Sequence, residues 1–196
     1  VVTLAPLPEG NPRRVLDRDT VLEAALAALN LRPPEFFEIP MPDGTRLAAM
    51  RIVPPTFDST HHYPVLMYAY GGPGSQTVLD EYGGADYAWY QMLAQHGFVI
   101  VTVDNRGTGA RGSAFEGAVY LRLGVRESQD QIDAARWLAA EPWVDATRIG
   151  IWGWSYGGYL SAMTAFRGGA VFRAAISVAP VTDWRLYDNV YTERYL

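Results

Sequence analysis

"GIWGWSYGGYL" (150–160) runs an apolar stretch into a Gly-x-Ser-x-Gly pentad centred on Ser155, and its flanks decide the fold. "RIGIW" (148–152) reads as a strand and "YLSAMTAF" (159–166) as a helix, so the serine falls on a strand–turn–helix joint. That joint is the setting of a nucleophile elbow, in which the turn holds the serine in a costly backbone conformation and presents its hydroxyl. Small residues two before and two after let strand and helix approach closely, and Gly153 and Gly157 stand there. The first turn of the helix leaves N–H groups unpaired, so the backbone N–H of Tyr156 is expected to donate to a developing oxyanion.

Outward from the pentad, "YPVLMYAY" (63–70), "GFVIVTVD" (97–104), "RIGIWG" (148–153) and "FRAAISVAP" (172–180) are short, nearly unbroken apolar runs. Such runs suit parallel strands buried on both faces. Between them lie helical segments at roughly 84–96 and 127–140, the second turning on Gln131, Ile132, Ala135 and Leu138. Alternating strand and helix predicts an α/β three-layer sandwich with a mainly parallel sheet and right-handed crossovers. Earlier in the chain, "FFEIPM" and "RLAAMRIV" flank Pro42-Asp43-Gly44 and predict a hairpin. Residues 4–19, Pro-rich and charged without periodicity, read as a linker. Leu22, Ala25, Leu26, Ala28 and Leu29 then predict a helix that Pro33-Pro34 ends.

Composition narrows the function. With 196 residues, 49% hydrophobic and 19% charged, the chain has the apolar mass for one real core. A net charge of −5 without Lys/Arg runs gives no footprint for nucleic acid or an anionic membrane, so neither is expected as a partner. No apolar run approaches the roughly 20 residues of a membrane span. The absence of cysteine removes thiol catalysis and thiolate metal sites but says nothing of compartment. Three scattered histidines offer no ligand spacing, so no metal and no cofactor is expected. "GTGARG" (107–112) lacks a dinucleotide-binding pattern. A first residue of Val1 fits a processed or excised chain.

A second oxyanion donor belongs in the loop after an earlier strand. Tyr70 ends "YPVLMYAY" at the carboxyl edge, where ligands gather in open α/β sheets, and a phenol can donate as an amide does. Composition alone does not separate it from a packing tyrosine. The general base is harder to find. His61 and His62 precede a strand, at its amino end, and His96 lies in "LAQHGF" at a helix C-terminus; all three read as structural or solvated. No histidine follows Ser155, and Asp183 and Asp188 read as loop and pocket-wall residues, so no complete triad is visible.

"YAYGGPGSQ", "VTVDNRGTGARG", "DQIDAARWL", "RIGIWGWSYGGYLSAM" and "VAPVTDWRLYDNVYTERYL" closely resemble the catalytic domain of the prolyl oligopeptidase family of serine peptidases, in its dipeptidyl peptidase IV-like branch. The likeness runs from about Pro34 to Leu196, with Trp154 and Tyr156 as its branch-specific part. It implies that Ser155 is the nucleophile, Tyr70 the side-chain oxyanion donor and Tyr156 the backbone donor. It further implies that Val181, Trp184, Tyr187 and Tyr191, with the Tyr156 ring, form an apolar S1 pocket for proline, and Trp154 is counted with these substrate-binding residues. A flat ring without an N–H suits an aromatic box, although from the residues alone those aromatics would be read as core.

The resemblance implies an exopeptidase releasing N-terminal Xaa-Pro, less so Xaa-Ala, dipeptides from peptide substrates. It also implies two missing parts: an N-terminal β-propeller, and a C-terminal hydrolase segment with the catalytic Asp and His in the order Ser, Asp, His. The domain reading is therefore a linker and helix over 1–33, leading out of that propeller, and the N-terminal part of an α/β-hydrolase domain over 34–196. A homodimer is a possible assembly. The alternatives are another prolyl oligopeptidase-type peptidase, an esterase on the same elbow, or a fragment inactive without complementation.

Overall fold

The computed structural model describes residues 2–4, 14–81 and 83–196. It divides into two compact units, residues 1–31 and 32–196. In the first, β1 (Val2–Leu4) pairs antiparallel with β2 (Arg14–Asp17), and α1 (Thr20–Ala28) follows, its first turn capped by Asp19 Oδ1 accepting from Leu22 N at 2.8 Å. Residues 14–17, read above as linker, are thus a strand: their alternation is too short and too exposed to show as a pattern. Residues 5–13 of that stretch lie outside the described residues.

The second unit is built on a six-stranded sheet. Its strands are β3 (Glu35–Pro40), β4 (Arg46–Ile52), β5 (Tyr63–Tyr68), β6 (Val99–Val103), β7 (Val144–Trp154) and β8 (Ala174–Val178), in the spatial order β3-β4-β6-β5-β7-β8. β3 and β4 are the expected hairpin, closed by Met41 N on Thr45 O at 2.7 Å and by Gly44 at φ +85°. β5 to β8 run parallel, with β4 antiparallel on β6.

Three of the apolar runs become central strands because both faces are covered; the fourth, expected to be buried likewise, forms the edge strand β8, where Ala174–Ser177 are exposed because no strand pairs beyond it among the described residues. All five residues of β6 are buried. On one side Val65, Met67, Val101, Ile149 and Ile151 pack with Ala134, Ala135 and Leu138 of α4 (Arg126–Ala139) and with Tyr156 and Leu160 of α5 (Tyr156–Gly168). On the other, Ile52 and Ile100 pack with Tyr90 and Ala94 of α2 (Gly84–Gln95), flanked by Leu66, Tyr68 and Trp152. Each fully buried branched or thioether side chain contributes about 1.5–3 kcal/mol. Two short helices, α3 (Ser113–Glu116) and α6 (Asn189–Tyr195), complete the unit.

The connections make a crevice. From β5 the chain crosses one face through α2 to β6, then passes back over the other face through α4 to β7 on the far side of β5. The carboxyl ends of β5 and β7 therefore feed connections that diverge, and such a switch point is where open α/β sheets bind ligands.

Candidate active site

Ser155 sits at that point, between the last residue of β7 and the first of α5. Its φ of +57° and ψ of −117° are a conformation that a non-glycine residue holds at a cost of order 1–3 kcal/mol. Two backbone bonds pin it: Ser155 N donates to Val178 O at 2.9 Å, and Tyr159 N donates to Ser155 O at 3.0 Å as the first helical bond. The glycines around it are demanded by contact. A Cβ on Gly153 would overlap the Ala69 carbonyl oxygen and the Gly157 backbone, one on Gly157 would overlap the same Ala69 oxygen, and one on Gly158 would overlap Val178 O. The sharp turn fits because strand, helix and the end of β5 share this space.

Tyr70 lies one residue beyond that Ala69 carbonyl, so the elbow and the Tyr70 loop are built against each other. Polar groups fix the loop from below. Asn105 Nδ2 donates to Gly71 O at 3.0 Å, and Gln131 Nε2 donates to Asn105 Oδ1 at 3.0 Å and to Val103 O at 2.9 Å. The Asp104 carboxylate accepts from Thr77 N, Thr77 Oγ1 and Val78 N at 2.9, 2.6 and 3.1 Å. Arg106 closes the arrangement, with its guanidinium on both oxygens of the fully buried Asp130 and on Asp43 of the hairpin turn. Tyr70 itself is half-buried, and its phenol pKa is raised by desolvation, reinforced by Tyr187. It stays a protonated donor across the neutral range.

The aromatics named from the sequence come together. The Tyr156 ring, 3% exposed, has its centroid 6.2 Å from Tyr70 and 5.6 Å from Trp184. Trp184 stacks on Tyr191 at 5.7 Å and 12°, and meets Tyr187 edge-on at 5.8 Å; Tyr187 meets Tyr191 edge-on at 5.5 Å. Asp183 and Asp188 hold these rings in place as caps: Asp183 Oδ1 accepts from Arg185 N at 3.0 Å, and Asp188 Oδ1 accepts from Tyr191 N at 2.9 Å, starting α6. The Arg185 guanidinium on Asp183 lowers that carboxyl to about 2. Val181 is half-buried in the segment leading to Trp184. Trp154 stands apart from the ring stack, 60% exposed at the end of β7.

The histidines lie elsewhere. His61 is exposed before β5, with Nδ1 3.0 Å from Asp58 Oδ2, and His62 is exposed beside it. His96 ends α2, with Nδ1 2.8 Å from Met92 O. Ser155 is at the opposite, carboxyl edge of the strands. Among the described residues no three His, Asp or Glu side chains are placed to hold a metal, and no helix is long and apolar enough to cross a membrane.

One group escaped the reading of the sequence. Glu127, fully buried on α4, accepts on Oε1 from Tyr156 Oη at 2.6 Å and from Gly124 N at 3.0 Å. Its pKa is raised by desolvation, and burial together with the Glu127 charge raises that of the Tyr156 phenol. The available signal was a carboxylate at the inward spacing of α4, on a buried face that also carries Ser128, Asp130 and Gln131, since a buried acid needs a hydrogen-bond partner.

A serine in a positive-φ elbow at the carboxyl edge of a mainly parallel, helix-covered sheet defines the α/β-hydrolase fold. The family model described as the prolyl oligopeptidase family matches residues 86–196, and the chain belongs to that family. Dipeptidyl peptidase 4 of Trichophyton equinum is 45% identical over 185 residues, covering 94% of this chain and 24% of its own. A probable dipeptidyl-aminopeptidase B of Paracoccidioides lutzii is 50% identical over 155 residues, 79% of this chain and 17% of its own. The crystal structure of Porphyromonas gingivalis dipeptidyl peptidase 4 superposes with a TM-score of 0.89 at 48% identity, over 96% of this chain and 26% of that one. The chain spans between 17% and 26% of the length of these relatives.

Proposed function

We propose that this chain is the nucleophile-bearing part of a serine exopeptidase that removes N-terminal dipeptides with proline, less readily alanine, in second place. The observation that supports the reading is Ser155 in its positive-φ elbow, followed directly by Tyr156, whose ring lies 6.2 Å from that of Tyr70 and 5.6 Å from that of Trp184. The Ser155 hydroxyl attacks the substrate carbonyl carbon and gives its proton to a general base. The carbonyl oxygen, now an oxyanion, takes hydrogen bonds from the Tyr156 N–H and the Tyr70 hydroxyl. The C–N bond breaks as the protonated base returns its proton to the departing amine, leaving Ser155 acylated, and water, activated by the same base, then hydrolyses the ester to release the dipeptide. Proline enters the space framed by Tyr156, Trp184, Tyr187, Tyr191 and Val181, where a rigid ring loses little entropy on burial; Trp154 flanks the entrance. Relatives named dipeptidyl peptidase and dipeptidyl-aminopeptidase support this substrate class.

No histidine of this chain stands near Ser155, so the base and its carboxylate partner are assigned to parts of the protein outside these residues, as is the propeller that would read the substrate's free amine. The test uses the full-length protein. A fluorophosphonate should label Ser155, and hydrolysis of Gly-Pro anilides should follow; Ser155→Ala should abolish both. Normal turnover in that variant would refute the assignment.

A further inference from the structure

Tyr156 carries two of the roles just proposed on one residue: its backbone N–H faces the oxyanion and its ring forms the floor of the box. Both depend on where the far end of the side chain is held, and that end rests on Glu127, 29 residues away in sequence. We propose that Glu127 is a positioning and specificity-determining residue, whose carboxyl fixes the tilt of the Tyr156 ring and through it the fit of proline and the aim of the Tyr156 N–H. The inference rests on the assignment of Ser155 and the box given above.

Three observations point the same way. The carboxyl is fully buried, yet among the described residues its second oxygen, Oε2, accepts no hydrogen bond, a cost that packing alone would remove by substitution with an apolar side chain. The turn that Glu127 caps through Gly124 N is itself fastened to α5: Tyr159 Oη donates to Leu123 O at 3.0 Å, and the Arg167 guanidinium donates to Gly124 O at 3.2 Å and to Ser128 Oγ. Gly124 adopts φ +82°, and a Cβ there would overlap the Tyr159 hydroxyl, so turn and helix are fitted to each other. Glu127 therefore hangs from a rigid bracket and presents one oxygen to one phenol. A bracket of this kind transmits position, since Tyr156 cannot rotate without breaking a 2.6 Å bond in a dry interior.

The experiment is a double-variant cycle in the full-length protein with Glu127→Ala, Glu127→Gln and Tyr156→Phe. It reads fluorophosphonate labelling rate and kcat and KM on Gly-Pro and Gly-Ala anilides. Glu127→Ala is expected to slow labelling and kcat by about tenfold and to narrow the Pro-over-Ala preference by roughly threefold. Glu127→Gln, which keeps an acceptor for both donors, should stay within about threefold of wild type, and Tyr156→Phe should match Glu127→Ala with no further loss in the double variant. Unchanged rates in Glu127→Ala, an unchanged Pro-over-Ala ratio, or losses that multiply in the double variant overturn the proposal. If Glu127→Ala does not fold, Tyr156→Phe with wild-type rates and ratio overturns it equally. A wild type that labels but does not cleave Gly-Pro anilides refutes the peptidase reading, while the labelling cycle still decides Glu127; a wild type that does not label overturns both.

Discussion

Gly153 and Gly157 both back onto the carbonyl oxygen of Ala69, so a single peptide at the end of β5 sets the height of the elbow and the start of Tyr70. Ser155 and Tyr70 are thus spaced by one contact rather than by two independent loops. Gly153→Ala or Gly157→Ala would drive a methyl into backbone, which cannot swing aside. Overpacking of this kind typically costs about 1–3 kcal/mol. We expect either variant of the full-length protein to melt several degrees lower and to lose labelling at Ser155, measured by thermal denaturation and by intact mass. A variant with native stability and labelling would show that the elbow has slack.

Tyr70→Phe removes a hydrogen bond made chiefly to the tetrahedral oxygen, so it should lower kcat and leave substrate affinity nearly intact. Loss of one such donor costs about 10²–10³ in rate, or roughly 2.7–4 kcal/mol. The fold should survive, because the loop is held by Asn105 and Asp104 and not by the phenol. Steady-state kinetics decide the case: a change confined to KM would make Tyr70 a packing residue.

Trp184 touches Tyr156, Tyr187 and Tyr191, which makes it the hub of the ring stack. Trp184→Ala is expected to cost about 3–5 kcal/mol of local packing and to abolish the preference for proline over larger apolar residues. Competition between Gly-Pro and Gly-Leu anilides measures it, and an unchanged preference would place proline recognition elsewhere.

How much of this was legible in the sequence follows from range. The strands showed because Val65 to Met67, Val99 to Val103 and Ile149 to Ile151 are local apolar runs, and the elbow showed because strand, pentad and helix are contiguous. The polar framework did not show. Arg106 meets Asp130 across 24 positions and Tyr156 meets Glu127 across 29, and no periodicity registers a partner that far away. The aromatic cluster lies between these cases: the resemblance names Trp184, Tyr187 and Tyr191, but the chain runs through a 3-10 turn at Trp184–Leu186 and an extended Tyr187 before α6, so folding and not helical spacing brings the three rings together and sets Trp184 against Tyr156.

The buried carboxyl also gives a pH signature. Desolvation raises the folded-state pKa of Glu127 above its unfolded value of about 4.3, so the folded protein binds this proton more tightly. Stability contributed by that group is present at low pH and falls as pH rises through the window between the two values. Glu127→Gln cannot titrate. The melting temperature of wild type minus that of Glu127→Gln should therefore decrease from about pH 4 upward. A difference that is flat or rises with pH would mean the carboxylate is stabilised as the anion.

The last expectation concerns residues 1–196 expressed alone, which should not turn over substrate. Acyl transfer needs a base within hydrogen-bond reach of the Ser155 hydroxyl. His61 and His62 precede β5 at the amino edge, and His96 ends α2 with its Nδ1 on Met92 O, so none reaches the carboxyl edge where Ser155 stands. The oxyanion donors proposed for Tyr70 and the Tyr156 N–H would remain, and such donors alone sustain only a residual fraction of triad-level rate. Mixing the chain with the segment that follows it in the full-length protein should restore Gly-Pro anilide hydrolysis if that segment brings the missing Asp and His. Robust hydrolysis by residues 1–196 alone, surviving His61→Ala, His62→Ala and His96→Ala together, would require a base other than histidine; loss of that activity in the triple variant would instead assign the base to one of the three.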